Sequence, residues 1–148
     1  MCERLAADGC RLWLVGRRSG ALEETAALCR GGSPEAIANP LDVTSEDEVA
    51  ALADRVAERW GALDGMVASA GRTHFASIET TSLADWEDVL ATNLTGPFLM
   101  LKHLLPVLRA GTVPAVVHIA STLGLAGLRN ASAYCASKAG LVNLTRAA

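Results

Sequence analysis

The sequence predicts an α/β protein, a parallel sheet wound with helices on both faces. Three observations predict it. Short apolar runs at 11–15, 36–43, 63–69 and 115–119 have the length of strands and are bounded by Gly, Pro or Ser. The segments between them carry apolar residues at helical spacing. The order that results alternates helix and strand from end to end, and such alternation implies crossover helices joining parallel strands.

The elements follow in order. MCERLAAD favours helix, and Gly9 suits its C-terminal cap. Arg11 to Val15 is a buried strand between Gly9 and Gly16. Ser19 is placed to cap a helix running to about Cys29, with Leu22, Ala26 and Cys29 on one face. Gly31 to Pro34 is a turn. Ala36 to Val43 is the next strand, and Pro40 makes it an edge strand because proline cannot donate to a ladder. Ser45 with Glu48 forms a capping box, and Val49, Leu52, Val56 and Trp60 then keep helical spacing until Gly61. Leu63 to Ser69 is a strand with Ala70-Gly71 as its exit turn. Residues 72–81 are polar and turn-rich. Ser82 with Asp85 starts another helix, and helical character continues to about Ala110, with Pro97 and Pro106 inside it. After the loop Gly111 to Pro114 come the strand Ala115 to Ile119 and a last helix from about Ala131.

Composition excludes several classes. The chain has 148 residues, 51% hydrophobic and 20% charged, so it can bury a core and is not disordered. Net charge is −3 with no basic run, which leaves nucleic acid no electrostatic footprint. The longest apolar stretch, Pro97 to Leu108, is interrupted by Lys102, His103 and Pro106 and is too short for a membrane span. No secretory signal precedes the first strand, so the expected location is the cytoplasm. Cys2, Cys10, Cys29 and Cys135 form no Cys-x-x-Cys pair, and no histidine stands at ligand spacing, so free thiols and no metal are expected.

The chemistry concentrates between Ile119 and Lys138. Tyr134 and Lys138 are four apart, on one face of a helix. An ammonium beside a phenol favours the phenolate by Coulomb attraction, which brings a tyrosine toward acid/base work. Ser121 follows a strand end, where its hydroxyl can meet a carbonyl oxygen that is becoming an alkoxide. Arg17, Asp42, Ser69 to Gly71 and Ser121 all stand at or just past strand ends, and such sheets bind ligands at the carboxyl ends of their strands. Each residue also has a bland reading: Ser121 capping a turn, Asp42 opening an Asx-turn, Asn93 bending a helix.

Taken together these motifs resemble the short-chain dehydrogenase/reductase family. Tyr134-Cys135-Ala136-Ser137-Lys138 matches its Tyr-x-x-x-Lys motif, Ser121 stands at the spacing of its active-site serine, and Asn93 in Ala91-Thr92-Asn93-Leu94 matches its mid-helix asparagine. Asp42-Val43 resembles its adenine-contacting pair, and Gly65 to Gly71 stands where the family has an Asn-Asn-Ala-Gly strand exit, here with Ala68-Ser69 in place of the asparagines. The resemblance implies a Rossmann-like fold and hydride transfer between a nicotinamide cofactor and a ketone or secondary alcohol. It implies Tyr134 as general acid/base and Ser121 as the group that polarises the carbonyl. Lys138 would favour the phenolate and hold the ribose, and Asn93 would hold a relay water. The cofactor would contact Arg17, Arg18, Asp42, Val43, Ser69, Ala70, Gly71, Tyr134 and Lys138. Gly16 occupies the place of the acid that binds the ribose 2′-hydroxyl of NAD, and Arg17 and Arg18 follow it, so NADP is expected, with NAD as the alternative.

The family's first strand and its glycine-rich Thr-Gly-x-x-x-Gly-x-Gly turn have no counterpart in this sequence, nor have its last strands and substrate loop. The expectation is therefore one partial nucleotide-binding domain over residues 1–148, lacking a central strand between those ending at Val15 and Ser69. Such a piece is expected to be catalytically inactive by itself, or to serve in association. The segments 94–110 and 131–148 match the helices with which the family forms homodimers and homotetramers. A sugar-nucleotide epimerase or dehydratase, which shares Tyr-x-x-x-Lys, fits the placement of Asn93 and Ser121 less well.

Overall fold

The computed structural model describes all residues from Met1 to Ala148. Its elements are α1 (Cys2–Ala7), β1 (Leu12–Gly16), α2 (Ser19–Cys29), β2 (Ala36–Pro40), α3 (Glu46–Trp60), β3 (Gly65–Ala68) and α4 (Leu83–Leu90), followed by a π-helical turn (Ala91–Thr95), α5 (Gly96–Arg109), β4 (Ala115–His118), a 3-10 turn (Thr122–Gly124) and α6 (Ser132–Ala147). The predicted alternation holds throughout. All strand pairs are parallel, but they form two separate two-stranded sheets, β1–β2 and β3–β4.

The chain divides into two compact units, Met1–Asp42 and Val43–Ala148. In the first, β1 pairs with β2 from Leu12↔Ala36 to Gly16↔Pro40. Ala6, Leu12, Leu14, Ala26, Cys29 and Ala36 make its core, with Leu5 and Leu22 packed against them. Helix α1 ends as its sequence predicts, since Gly9 takes the left-handed conformation (φ +79°) that its lack of a Cβ allows. Three boundaries differ from expectation, the first being β1, which runs over Leu12–Gly16 rather than Arg11 to Val15. Ser19 does not cap α2; Arg18 is the N-cap, with no side-chain bond, because Ser19 has already entered the helix. Strand β2 stops at Pro40 rather than Val43, because after one more bond, from Leu41 N–H to the Gly16 carbonyl, the chain leaves the ladder for the cap of α3. As an edge strand β2 accommodates Pro40, whose missing N–H costs nothing on the open side.

In the second unit, Ser45 Oγ accepts the Glu48 N–H and Ser82 Oγ accepts the Asp85 N–H, so both predicted caps form. Val49, Leu52 and Val56 of α3 are buried, and α3 packs on α5. Glu46 in the first turn of α3 meets Lys102 (2.6 Å) and His103 (3.0 Å) of α5, and these partners lower its carboxyl below the ordinary value. The expected continuous helix from Ser82 to Ala110 contains a π turn. Pro97 has no N–H to offer the Asn93 carbonyl four residues back, and the Gly96 N–H bonds Ala91 five residues back. Strands β3 and β4 pair from Gly65↔Ala115 to Ala68↔His118, and both are shorter than predicted.

Candidate active site

Within the second unit the two parallel strands end side by side, and the Ile119 N–H bonds the Ala68 carbonyl just past them. The exit of β3 carries Ser69, Ala70 and Gly71, all exposed, and the exit of β4 carries Ser121. Val43, the first residue of this unit, lies over the start of α5. A Cβ on Gly96 would fall 2.8 Å from its Cγ2, so only glycine admits the contact.

Helix α6 carries Tyr134 and brings Lys138 to the exit of β4. Lys138 is 5% exposed, and its Nζ donates to the Ile119 carbonyl at 2.7 Å while standing 5.9 Å from the Tyr134 ring centroid. Burial pushes its ammonium below the ordinary lysine value. An ammonium has three hydrogens, so one bond to Ile119 leaves two for other partners. This bond, with that between His118 and Thr145, ties the helix bearing Tyr134 to the strand whose exit bears Ser121, two residues after Ile119.

Ser121 is extended (φ −158°, ψ 153°), and its Oγ accepts the Leu123 N–H at 3.2 Å. It does cap a turn, as its bland reading held. Accepting that bond leaves its O–H free to donate. The 3-10 turn after it lies directly on α6. A Cβ on Gly124 would come within 2.7 Å of the Lys138 carbonyl oxygen, so backbone touches backbone there.

Asn93 is 0% exposed in the π turn, and its amide is fully engaged. Oδ1 accepts the Arg72 N–H at 2.7 Å, and Nδ2 donates to the Arg72 carbonyl at 2.9 Å and to Ser137 Oγ at 3.0 Å. The side chain thus pairs with the residue after Gly71 as a strand neighbour would. Leu94 beside it fills the space left by Gly140 of α6, where a Cβ would be 2.8 Å from Leu94 Cδ2. Gly71, Asn93 and Lys138 converge, since a Cβ on Gly71 would lie 3.6 Å from Asn93 Oδ1 and 3.8 Å from Lys138 Nζ.

Three contributors were missed in the sequence. Arg72 clamps Asn93 through its backbone, and its side chain pairs with Asp88 of α4 at 2.6 Å. Ser137 bonds Asn93. The exposed ring of Phe75 lies 6.4 Å from the Tyr134 ring, tilted by 34°. Ser137 adjoins Lys138 in sequence and Arg72 follows Gly71, but nothing in their spacing signals these contacts.

In the first unit Arg17 and Arg18 follow β1 and are exposed, and Asp42 follows β2. Arg17 Nη1 and Asp42 Oδ2 are 3.9 Å apart with most of the guanidinium in solvent, a weak pair that leaves the cation available. A guanidinium of this kind suits a phosphate by geometry and charge. Each unit therefore offers its own donors: exposed guanidinium groups at Arg17 and Arg18 in the first, and in the second a buried ammonium at Lys138 with two hydrogens not used by Ile119.

The family model described as short chain dehydrogenase matches residues 1–148. The chain is 38% identical over 146 residues to the cis-4-hydroxycyclohexanecarboxylate dehydrogenase of Sinomonas cyclohexanicum, covering 98% of this chain and 59% of that protein. Among solved structures it resembles NAD+-bound xylitol dehydrogenase (TM-score 0.93, 32% identity, 99% of this chain and 56% of that one). It also resembles a metagenomic short-chain oxidoreductase in complex with NADP (TM-score 0.92, 28% identity, 99% and 66%). The chain thus spans little more than half the length of the curated relative it matches.

Proposed function

The chain belongs to the short-chain dehydrogenases, and from that premise we propose that it carries the proton-transfer half of an NADP-dependent interconversion of a ketone and a secondary alcohol. The observation that supports this reading is the bond from the buried Lys138 ammonium, one helical turn after Tyr134, to the carbonyl of Ile119, two residues before Ser121. Bound NADPH supplies a hydride to the carbonyl carbon, and this chain's residues manage the oxygen. The Ser121 O–H donates to that oxygen and places it. The Tyr134 phenol gives it a proton, leaving a phenolate that the Lys138 ammonium stabilises. In the reverse direction the phenolate takes the alcohol proton.

The two spare hydrogens of Lys138 serve the ribose hydroxyls and a water that returns the proton. The Asn93 amide is engaged with Arg72 and Ser137, and Pro97 has no N–H to offer the Asn93 main-chain carbonyl, so we assign that water to this carbonyl. Arg17 and Arg18 favour the 2′-phosphate of NADP over the bare ribose of NAD, which keeps NAD as the weaker ligand. Asp42 and Val43 serve the adenine, and Ser69, Ala70 and Gly71 line the cofactor's path at the exit of β3. On this reading residues 1–148 are part of one nucleotide-binding domain, which pairs with further copies through α5 and α6.

A second reading has its own observation. Val67, Val117 and Ile119 are 37%, 48% and 44% exposed on one face of β3–β4, an apolar surface suited to association. In that reading the chain associates and does not catalyse. Titration of NADPH and of NADH, followed by nicotinamide fluorescence, with ketone-dependent NADPH oxidation measured in parallel, separates the two. Saturable NADPH binding, with turnover abolished in Tyr134→Phe, supports the first. Absence of binding to the folded chain overturns it in favour of the second.

A further inference from the structure

We propose that Ser137 is a positioning residue that couples Asn93 to the Tyr134–Lys138 pair. The inference rests on the acid/base reading of that pair. Ser137 is 0% exposed, so neither of its bonds has a water to replace it. Its Oγ accepts from Asn93 Nδ2 at 3.0 Å and donates to the Tyr134 carbonyl at 2.8 Å. A hydroxyl that bonds only the carbonyl three residues back is an ordinary way for serine to sit in a helix. Here the second bond reaches across to another element. Asn93 is held by both backbone groups of Arg72, whose side chain is braced by Asp88 of α4. The chain of contacts therefore runs from α4 and the exit of β3, through Asn93 and Ser137, to the backbone of Tyr134 in the first turn of α6.

The consequence concerns geometry. Tyr134 and Lys138 share a helix, but the separation of ammonium and phenol depends on how that helix is seated against the π turn. Leu94 in the gap left by Gly140 sets the distance between the two elements. An apolar contact allows rotation about the helix axis, whereas the Asn93–Ser137 bond is directional and opposes it at the π turn, as the Lys138–Ile119 bond does at β4.

Tyr134 is the only tyrosine in the chain, so phenolate absorbance reports its ionisation without interference from a second phenol. The cation facing its ring is Lys138, the aromatic neighbour Phe75 is uncharged, and Arg72 and Asp88 enter as a neutral pair. The experiment titrates the wild-type chain, Ser137→Ala, Lys138→Met and the double variant, with circular dichroism confirming the fold at each pH. On the acid/base reading Lys138→Met raises the Tyr134 midpoint, as loss of a neighbouring cation does. Ser137→Ala is expected to move it in the same direction by less, and to add nothing once Lys138 is gone. Ser137→Thr, which keeps the hydroxyl, restores the wild-type midpoint. If Ser137→Ala does not fold, Ser137→Cys takes its place, since the thiol keeps the volume and weakens both bonds. An unchanged midpoint in the folded variant overturns the proposal, as does an equal shift with and without Lys138. Silence of Lys138→Met itself refutes the acid/base reading instead, so the two failures are distinct.

Discussion

Replacing Gly124 by Ala tests whether the loop carrying Ser121 is seated on α6 by direct backbone contact. The added Cβ would stand 2.7 Å from the Lys138 carbonyl oxygen, 2.8 Å from its carbon and 3.0 Å from the Ala139 nitrogen. None of these is the end of a flexible side chain, so the turn and the helix must separate. Opening the gap to an ordinary 3.4 Å requires a shift of about 0.7 Å. Overpacking of this kind costs about 1–3 kcal/mol. The Gly124 N–H bonds the Ser121 carbonyl, so the serine travels with the turn. Displacements near 1 Å at a reacting centre lower rates by about a hundredfold. Gly127, in the same loop, has nothing within 4 Å of its Cβ position and is the control. Urea unfolding followed by far-UV circular dichroism is expected to show a loss of about 2 kcal/mol for Gly124→Ala and a change within about 0.5 kcal/mol for Gly127→Ala. Equal midpoints at equal m-values for the two variants would refute the backbone-contact argument.

Two further predictions concern the same unit. Asn93→Ala removes three hydrogen bonds, leaves the buried Ser137 oxygen without its donor and both backbone groups of Arg72 without their partners, and is expected to cost about 2–4 kcal/mol by the same urea assay; a loss below about 0.5 kcal/mol would show that the clamp on Arg72 is not structural. His118 at the end of β4 bonds Thr145 Oγ1 through Nδ1 while its Nε2 is buried without a partner, and burial holds its imidazole below the ordinary value. The unfolded chain therefore takes up this proton at a higher pH than the folded one. The contribution is fully present above about pH 6.5 and is lost as pH falls toward the lowered folded value. His118→Gln is expected to flatten the fall in urea midpoint below about pH 6.5, and an unaltered slope would contradict the assignment.

Much of the fold was legible because its signals are local. The capping boxes at Ser45 and Ser82, the left-handed Gly9 and the apolar spacing of Val49, Leu52 and Val56 depend on residues within a turn or two of each other. Where Ser19 failed as a cap and β2 ended early, the error was of register at an element's end, where neighbouring residues compete for one role. The Tyr134–Lys138 pair was legible for the same reason, since four residues of helix bring the two side chains to one face.

The sequence by itself determined the order of elements, their types, and the presence of a phenol, an ammonium and a hydroxyl where a helix and a strand exit carry them. Tertiary structure decided how those groups are held. The pairing of β1 with β2 and of β3 with β4 is a matter of which strands find partners, and no strand records its neighbour in its own pattern. The clamp of Asn93 on Arg72 joins residues 21 apart, and its bond to Ser137 joins residues 44 apart. Lys138 reads as a surface cation until α6 is packed, when burial and the Ile119 carbonyl take it out of water. Hydrogen bonds and close contacts of this kind depend on distances between elements, which packing sets and which the spacing along a chain does not contain.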